Sequence, residues 1–304
     1  MTLSQARVMR REGETDTMMR KFGELRRWAL ATGLAIATLT AHGLPVNADT
    51  LGQPSPWEIN FQPAASPIME TIHGFHFFVL VIITSIVIFV MTLLAICILR
   101  FNERANPTPS KSTHNTTLEI IWTVIPVFIL VAMAIPSFRL LHDQLDLPKA
   151  DVTVKAIGTA QWTWTYSYPD HGGFSFDSNM LQDNELKPGQ PRLLAVDNEL
   201  VLPVNKIIRV QTTAEGIIHS FTVPAFGIKI DAIPGRLNET WFKSTREGMF
   251  YGQCSELCGR NHAYMPIAVR IVSEDKFKVW VEEAKKKYAE TPGRPSVVAE
   301  VAAE

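Results

Sequence analysis

Apolar residues in this chain fall into three long blocks followed by many short stretches, and that pattern sets the architecture. The first block, Trp28 to Leu39, sits behind Arg20, Lys21, Arg26 and Arg27. It is well short of the roughly 20 residues a spanning helix needs. With the small residues Val46-Asn47-Ala48 behind it, residues 1–48 read as a secretory signal peptide cut after Ala48. The stretch before the block is long for a leader, and Met18 or Met19 would start one of ordinary length. After a non-cytoplasmic segment, 49–74, the run Phe75 to Leu99 carries no charge. At 1.5 Å per residue it reaches about 37 Å, enough to span with tilt. Leu118 to Phe138 is a second span, with Glu119 in its first turn and Pro126 and Pro136 as kinks that membrane helices tolerate. The two spans, 75–99 and 118–138, predict a transmembrane hairpin. Arg100, Arg104 and Lys111 place the 100–117 loop in the cytoplasm and both ends of the mature chain outside.

Beyond Arg139 the pattern turns to short β-rich stretches at Val152–Ile157, Trp162–Tyr168, Arg192–Val196, Ile207–Thr212, Ser220–Val223, Met249–Tyr251 and Ile267–Val272. Punctuated by Gly, Pro, Asn and Asp, they predict an all-β sandwich over residues 139–290. Glu274 to Ala289 reads as an amphipathic helix with Phe277, Trp280, Val281 and Ala284 on one face. The tail, 291–304, holds two prolines and small residues and reads as disordered. The fold class expected is therefore a two-helix transmembrane hairpin plus an all-β domain.

Composition changes this picture little. The mean hydropathy is slightly positive although 19% of residues are charged, which fits apolar residues gathered in blocks. A net charge of −1, without a polybasic stripe, argues against nucleic acid as a partner.

The candidate chemistry is concentrated in one segment. Cys254, Cys258, His262 and Met265 put four soft or borderline ligands within twelve residues. Thiolate and thioether suit cuprous ion and imidazole suits either copper oxidation state. A mononuclear blue-copper site uses one Cys, so two cysteines suggest two sulfur-bridged metals. A disulfide is the competing reading in an exported domain, and zinc another. A disulfide does not call for His262 and Met265 at these offsets, and a zinc site has little use for Met. Three residues between the cysteines exclude the C-x-x-C-H attachment of haem c. A second imidazole is still needed, and His219 or His171 could supply it. Cys97, alone in the first span, reads as a small buried residue.

Cys254 to Pro266 resembles the copper A loop of cytochrome c oxidase subunit II, C-S-E-x-C-G-x-x-H-x-x-M-P, at every fixed position. His219-Ser220-Phe221-Thr222-Val223-Pro224 resembles the upstream motif H-S-[WF]-x-V-P, and Asp231-Ala232-Ile233-Pro234-Gly235-Arg236 follows it. Leu118-Glu119-Ile120-Ile121-Trp122-Thr123, the aromatic run Gln161 to Tyr168 and Leu202-Pro203-Val204-Asn205 complete the order of motifs. The resemblance implies a cupredoxin-like domain outside the bacterial inner membrane, in the periplasm. In it Cys254 and Cys258 bridge two coppers, His219 and His262 cap one each, Met265 is a weak axial ligand and Glu256 lends its main-chain carbonyl.

The same resemblance implies electron acceptance from cytochrome c at Trp162 and delivery to haem in subunit I. Oxygen is reduced there, coupled to proton pumping. It further implies proton uptake at Glu119, and magnesium bound by the Glu256 carboxylate at the subunit I interface. Haems belong to subunit I only; other oxidase subunits and the bilayer complete the partners. Nitrous oxide reductase also carries copper A, but the carboxylate between the cysteines and the two-helix anchor resemble the oxidase. A copper-free quinol-oxidase subunit is opposed by the intact ligands, and a free copper carrier has no use for Glu119. Trp164, Tyr166 and Tyr168 serve either electron transfer or strand packing. Six acids between Asp170 and Glu199 read either as a steering patch for a basic cytochrome c or as a solvated face. Ser167 departs from the pattern, standing where many members carry an acid.

Overall fold

Ser66 fixes the start of the first helix. Its side chain accepts from the Met69 amide at 3.0 Å while its hydroxyl donates to the Phe226 carbonyl at 2.7 Å, so the helix cap is also a tether to the β domain. The computed structural model describes residues 52–288; the expected signal peptide and disordered tail, and Ala289, lie outside the described residues. Helix α1, Pro67–Arg100, has Pro67 in its first turn, where no amide is needed. Helix α2, Thr116–Leu145, is capped by Asn115, whose side chain accepts from the amides of Thr117 and Leu118.

Both helices run beyond the apolar blocks, α1 by eight residues at its start and α2 by seven at its end. Thr71, Gly74, Phe75 and Phe78 of α1 share a groove with Pro136 and Leu140 of α2, so the helices are antiparallel. Only Ile68 and Met69 of α1 are buried, and nothing in α2 is. A helix pair apolar on all sides and exposed along its length needs lipid around it. The hydroxyls of Thr71, Ser85 and Thr92 donate to carbonyls one turn back, so these side chains carry no unpaired donor into the apolar stretch. Cys97, expected to be buried, lies exposed on the same helix.

The β domain is a sandwich. One sheet has the order β3-β2-β1-β5-β8, built from Ser175–Ser178, Trp164–Ser167, Val152–Gly158, Ile207–Ala214 and Asn238–Lys243. The other has the order β4-β10-β9, from Leu200–Pro203, Pro266–Val272 and Gly248–Gln253. A hairpin of β6, His219–Val223, and β7, Ile228–Ala232, completes it. Strand β5 shows the half-buried rule plainly: Ile208, Val210, Thr212 and Ala214 point inward and their neighbours do not. Tyr168 joins the sheets, its buried hydroxyl donating to the Val201 carbonyl at 2.9 Å and accepting the Val201 amide at 3.1 Å. Helix α3, Glu274–Tyr288, covers one end with Phe277, Val281 and Ala284, and Trp280 packs on Tyr168 and Phe174.

Two stretches depart from expectation. Arg192–Val196 is not a strand: the amides of Leu194 and Ala195 both turn back to the Pro191 carbonyl, leaving one isolated bridge between Met180 and Val196. The strand expected from Trp162 begins at Trp164, because Trp162 sits at φ 60°, a left-handed turn position.

Candidate metal centre

Strands β9 and β10 pair antiparallel from Gly248 opposite Ile271 to Gln253 opposite Pro266, so residues 254–265 are the loop that closes this hairpin. One turn of chain therefore carries Cys254, Glu256, Cys258, His262 and Met265. The loop folds back onto β6, where the Ser255 amide donates to the Ser220 carbonyl at 3.1 Å beside His219. Gly252 permits that approach, since a Cβ there would run into the Thr222 carbonyl.

The resulting donor set is compact and two-sided. The Sγ atoms of Cys254 and Cys258 are 3.8 Å apart and both cysteines are free. His219 Nδ1 stands 3.8 Å from Cys254 Sγ, and His262 Nδ1 stands 3.5 Å from Cys258 Sγ. Met265 Sδ lies 3.8 Å from Cys258 Sγ, and the Glu256 carbonyl lies 3.4 Å from Cys254 Sγ. His219, Cys254, Cys258 and Met265 are buried, His262 is half-buried and the Glu256 side chain is exposed. Two sulfurs in the middle with one imidazole on each outer flank fit two metals sharing both thiolates. A single tetrahedral ion would gather all donors around one point.

Burial governs the protonation of this site. It pushes the Cys258 thiol up to about 12, with the neighbouring Cys254 adding to the effect. It also lowers His219, against the opposing pull of its hydrogen bond to Thr159. At neutral pH the imidazole is uncharged and the Cys258 thiol holds its proton, so metal binding must release a proton from the loop.

Trp162 lies beside the cluster, its Nε1–H donating to the Cys258 carbonyl at 2.9 Å and its ring under the Arg260 guanidinium at 5.5 Å. Gly259, at φ +117°, leaves room for the indole. Trp162 also borders an open groove of about 650 Å³ with Gln161, Asn179, Asp183, Arg192 and Tyr264. Trp164, Tyr166 and Tyr168 are fully buried and pack within the sandwich; Trp164 also donates to the Met265 carbonyl at 3.2 Å.

The six acids from Asp170 to Glu199 each have an intramolecular partner. Asp170 accepts from the Thr153 amide, Asp177 from the Thr165 hydroxyl, Glu185 from the Gln182 amide and Asp197 from the Asn179 amide. Asp183 and Glu199 pair with Arg192 and Arg270. His171 is not near the sulfurs; it packs edge-on against Phe277 at 5.3 Å. Glu119 is also apart, in the first turn of α2, whose opposite end leads into β1 about 39 Å further along the helix axis. Sequence reasoning missed Gly158 and Thr159, which touch His219 from a neighbouring strand and carry no signal of their own.

A hairpin of two lipid-facing helices carrying a cupredoxin-like sandwich, with this donor loop at one end, defines a membrane-anchored protein with an extramembrane metal-binding domain. Comparison with known proteins is consistent throughout. The family described as cytochrome c oxidase subunit II, periplasmic domain, matches residues 152–272, and its transmembrane domain matches residues 54–140. A probable cytochrome c oxidase subunit 2 of Rickettsia bellii is 54% identical over 77% of this chain and 87% of its own length. Cytochrome c oxidase subunit 2 of Cereibacter sphaeroides is 46% identical over 84% and 89%. The crystal structure of the periplasmic domain of subunit II from Bradyrhizobium japonicum is 65% identical over 47% of this chain and 99% of its own, with a TM-score of 0.44.

The chain belongs to the cytochrome c oxidase subunit II family. It is thus a subunit of an oxidoreductase complex, with other oxidase subunits as its partners.

Proposed function

We propose that this subunit takes electrons one at a time from cytochrome c into a binuclear copper A centre and hands them to haem in subunit I, where oxygen is reduced to water with proton pumping. The observation that carries this reading is the pair of sulfurs 3.8 Å apart with a separate imidazole on each flank. Cys254 and Cys258 would bridge, His219 and His262 would cap, and Met265 and the Glu256 carbonyl would complete the set. Bound there, copper A supplies a one-electron relay whose charge is shared by two metals.

The chain's own residues do the rest. The buried Cys254, Cys258 and Met265 keep water from the sulfurs, and the loop's anchorage on β6 and β10 holds the donors at fixed separations. A site that barely rearranges between oxidation states has little reorganisation to perform at each transfer. Trp162, reaching from the open groove to the Cys258 carbonyl, is the residue through which the electron arrives. The groove it borders is the docking surface for cytochrome c.

Arg100, Arg104 and Lys111 put the inter-helix loop in the cytoplasm and the sandwich in the periplasm of a bacterial inner membrane. Glu119, at the cytoplasmic end of α2, then serves proton uptake into subunit I, a role suited to a carboxylate in a membrane segment. The exposed Glu256 carboxylate is free to bind magnesium at the subunit I interface, where a hard cation prefers carboxylate oxygen and water. Haems reside in subunit I alone.

Anaerobic mixing of the purified oxidase with reduced cytochrome c tests this directly. Bleaching of a copper band before haem is reduced supports the reading; haem reduction without any copper phase contradicts it.

A further inference from the structure

His219 is fully buried on β6, and its ring is held on two sides by β1 and β2. On one side lies the main chain of Gly158, where a Cβ would overlap the ring at Cδ2, stand 2.7 Å from Cγ and 2.9 Å from the His219 Cβ. On the other lies Trp164, its ring centroid 6.0 Å away, and Gly158 and Trp164 are direct register partners across β1 and β2. The next residue, Thr159, places its carbonyl 3.0 Å from His219 Nε2. A carbonyl oxygen only accepts, so Nε2 carries the proton and Nδ1 is left bare toward Cys254. The same carbonyl accepts the Trp162 amide at 3.1 Å, and the Trp162 indole reaches the Cys258 carbonyl. The five residues Gly158 to Trp162 therefore hold both flanks of the sulfur pair, His219 on one and the main chain of Cys258 on the other.

We infer that Gly158 is a positioning residue for the metal centre: its missing side chain lets the His219 ring lie against the main chain, so that the Thr159 carbonyl fixes the ring's tautomer and the aim of its donor nitrogen. This rests on the proposed copper centre. The ring atoms that an added methyl would strike are Cγ and Cδ2, near the root of the side chain, so the ring cannot swing clear without losing either Thr159 or Cys254. Among the described residues nothing clamps the ring of His262, half-buried in a 3-10 turn, in this way, and the two histidines should behave differently although they occupy matching positions.

Pulsed electron spin resonance of the copper-loaded, assembled oxidase, transferred into deuterated buffer, reads this asymmetry. One histidine Nε–H should persist while the other exchanges. In Gly158→Ala, both coppers should remain, the persistent proton should become exchangeable, the nitrogen coupling of that one histidine should shift and the reduction potential of the centre should move. A purely structural role would lower the unfolding temperature while leaving coupling and potential at wild-type values, and that result overturns the inference. If Gly158→Ala fails to accumulate, the wild-type exchange decides: equal exchange of the two protons overturns the inference. Absence of any mixed-valence copper signal in wild-type protein would instead overturn the proposed function beneath it.

Discussion

The indole Nε1–H of Trp162 donates to the main-chain carbonyl of Cys258 at 2.9 Å, linking a groove-lining aromatic to a residue whose Sγ belongs to the donor cluster. Trp162→Phe keeps the ring but removes this donor. Stopped-flow reduction by cytochrome c should slow by at least about tenfold, equivalent to about 1.4 kcal/mol in the barrier. The affinity for cytochrome c, read from the concentration dependence at several salt levels, should change little because charges set the encounter. An unchanged rate would remove Trp162 from the path.

Glu119 lies at the end of α2 remote from the sandwich. Glu119→Ala should lower steady-state turnover several-fold while copper reduction by cytochrome c proceeds at the wild-type rate. Equal loss in both measurements would mean that the topology or the role is wrong.

In the proposed reading Glu256 divides two tasks between main chain and side chain. Its carbonyl faces Cys254 while its carboxylate is exposed, so Glu256→Gln should retain copper and its spectrum but weaken magnesium, or a manganese substitute, in the assembled complex. Metal analysis alongside the copper spectrum checks this. Magnesium held as in wild type would leave Glu256 with its carbonyl role alone, and lost copper would make the side chain a ligand.

Tyr168 binds both polar groups of Val201 through one buried hydroxyl. Tyr168→Phe leaves a buried amide and carbonyl unpaired, at a cost of about 1–3 kcal/mol. Denaturant unfolding followed by near-ultraviolet circular dichroism should show the loss, with the copper spectrum unaltered below the transition. Wild-type stability would mean that water or a neighbour replaces the hydroxyl.

What the sequence made legible follows physical rules. The membrane helices are legible because about 20 charge-free residues have few other uses, yet their full extent is not: the Ser66 cap starts α1 eight residues before its apolar block, and α2 runs on past Phe138 through the more polar Arg139–Leu145 stretch. Strand β8, Asn-Glu-Thr-Trp-Phe-Lys, escaped notice because only Phe242 of its six residues is buried. Strand β7 is hard to read because it is only five residues long, although Ile228, Ile230 and Ala232 alternate with Lys229 and Asp231 as in a half-buried strand. Of the candidate ligands, those in the 254–265 loop could be read by spacing because one hairpin loop carries them. His219 and His171 were not separable by spacing, and only the packing of β6 against that loop brings the first of them to the sulfurs. The acids from Asp170 to Glu199 read either as a steering patch or as a solvated face, and their intramolecular partners, such as Thr153 for Asp170 and Arg270 for Glu199, are not legible from spacing.

The central claim is that the sulfur pair holds two metals and serves as a relay. Copper analysis of the purified subunit, combined with its electron spin resonance spectrum, tests it most directly. The account predicts two coppers per chain sharing one unpaired electron in a mixed-valence signal. A single copper with a blue mononuclear spectrum, or a Cys254–Cys258 disulfide that excludes copper under loading conditions, would contradict it.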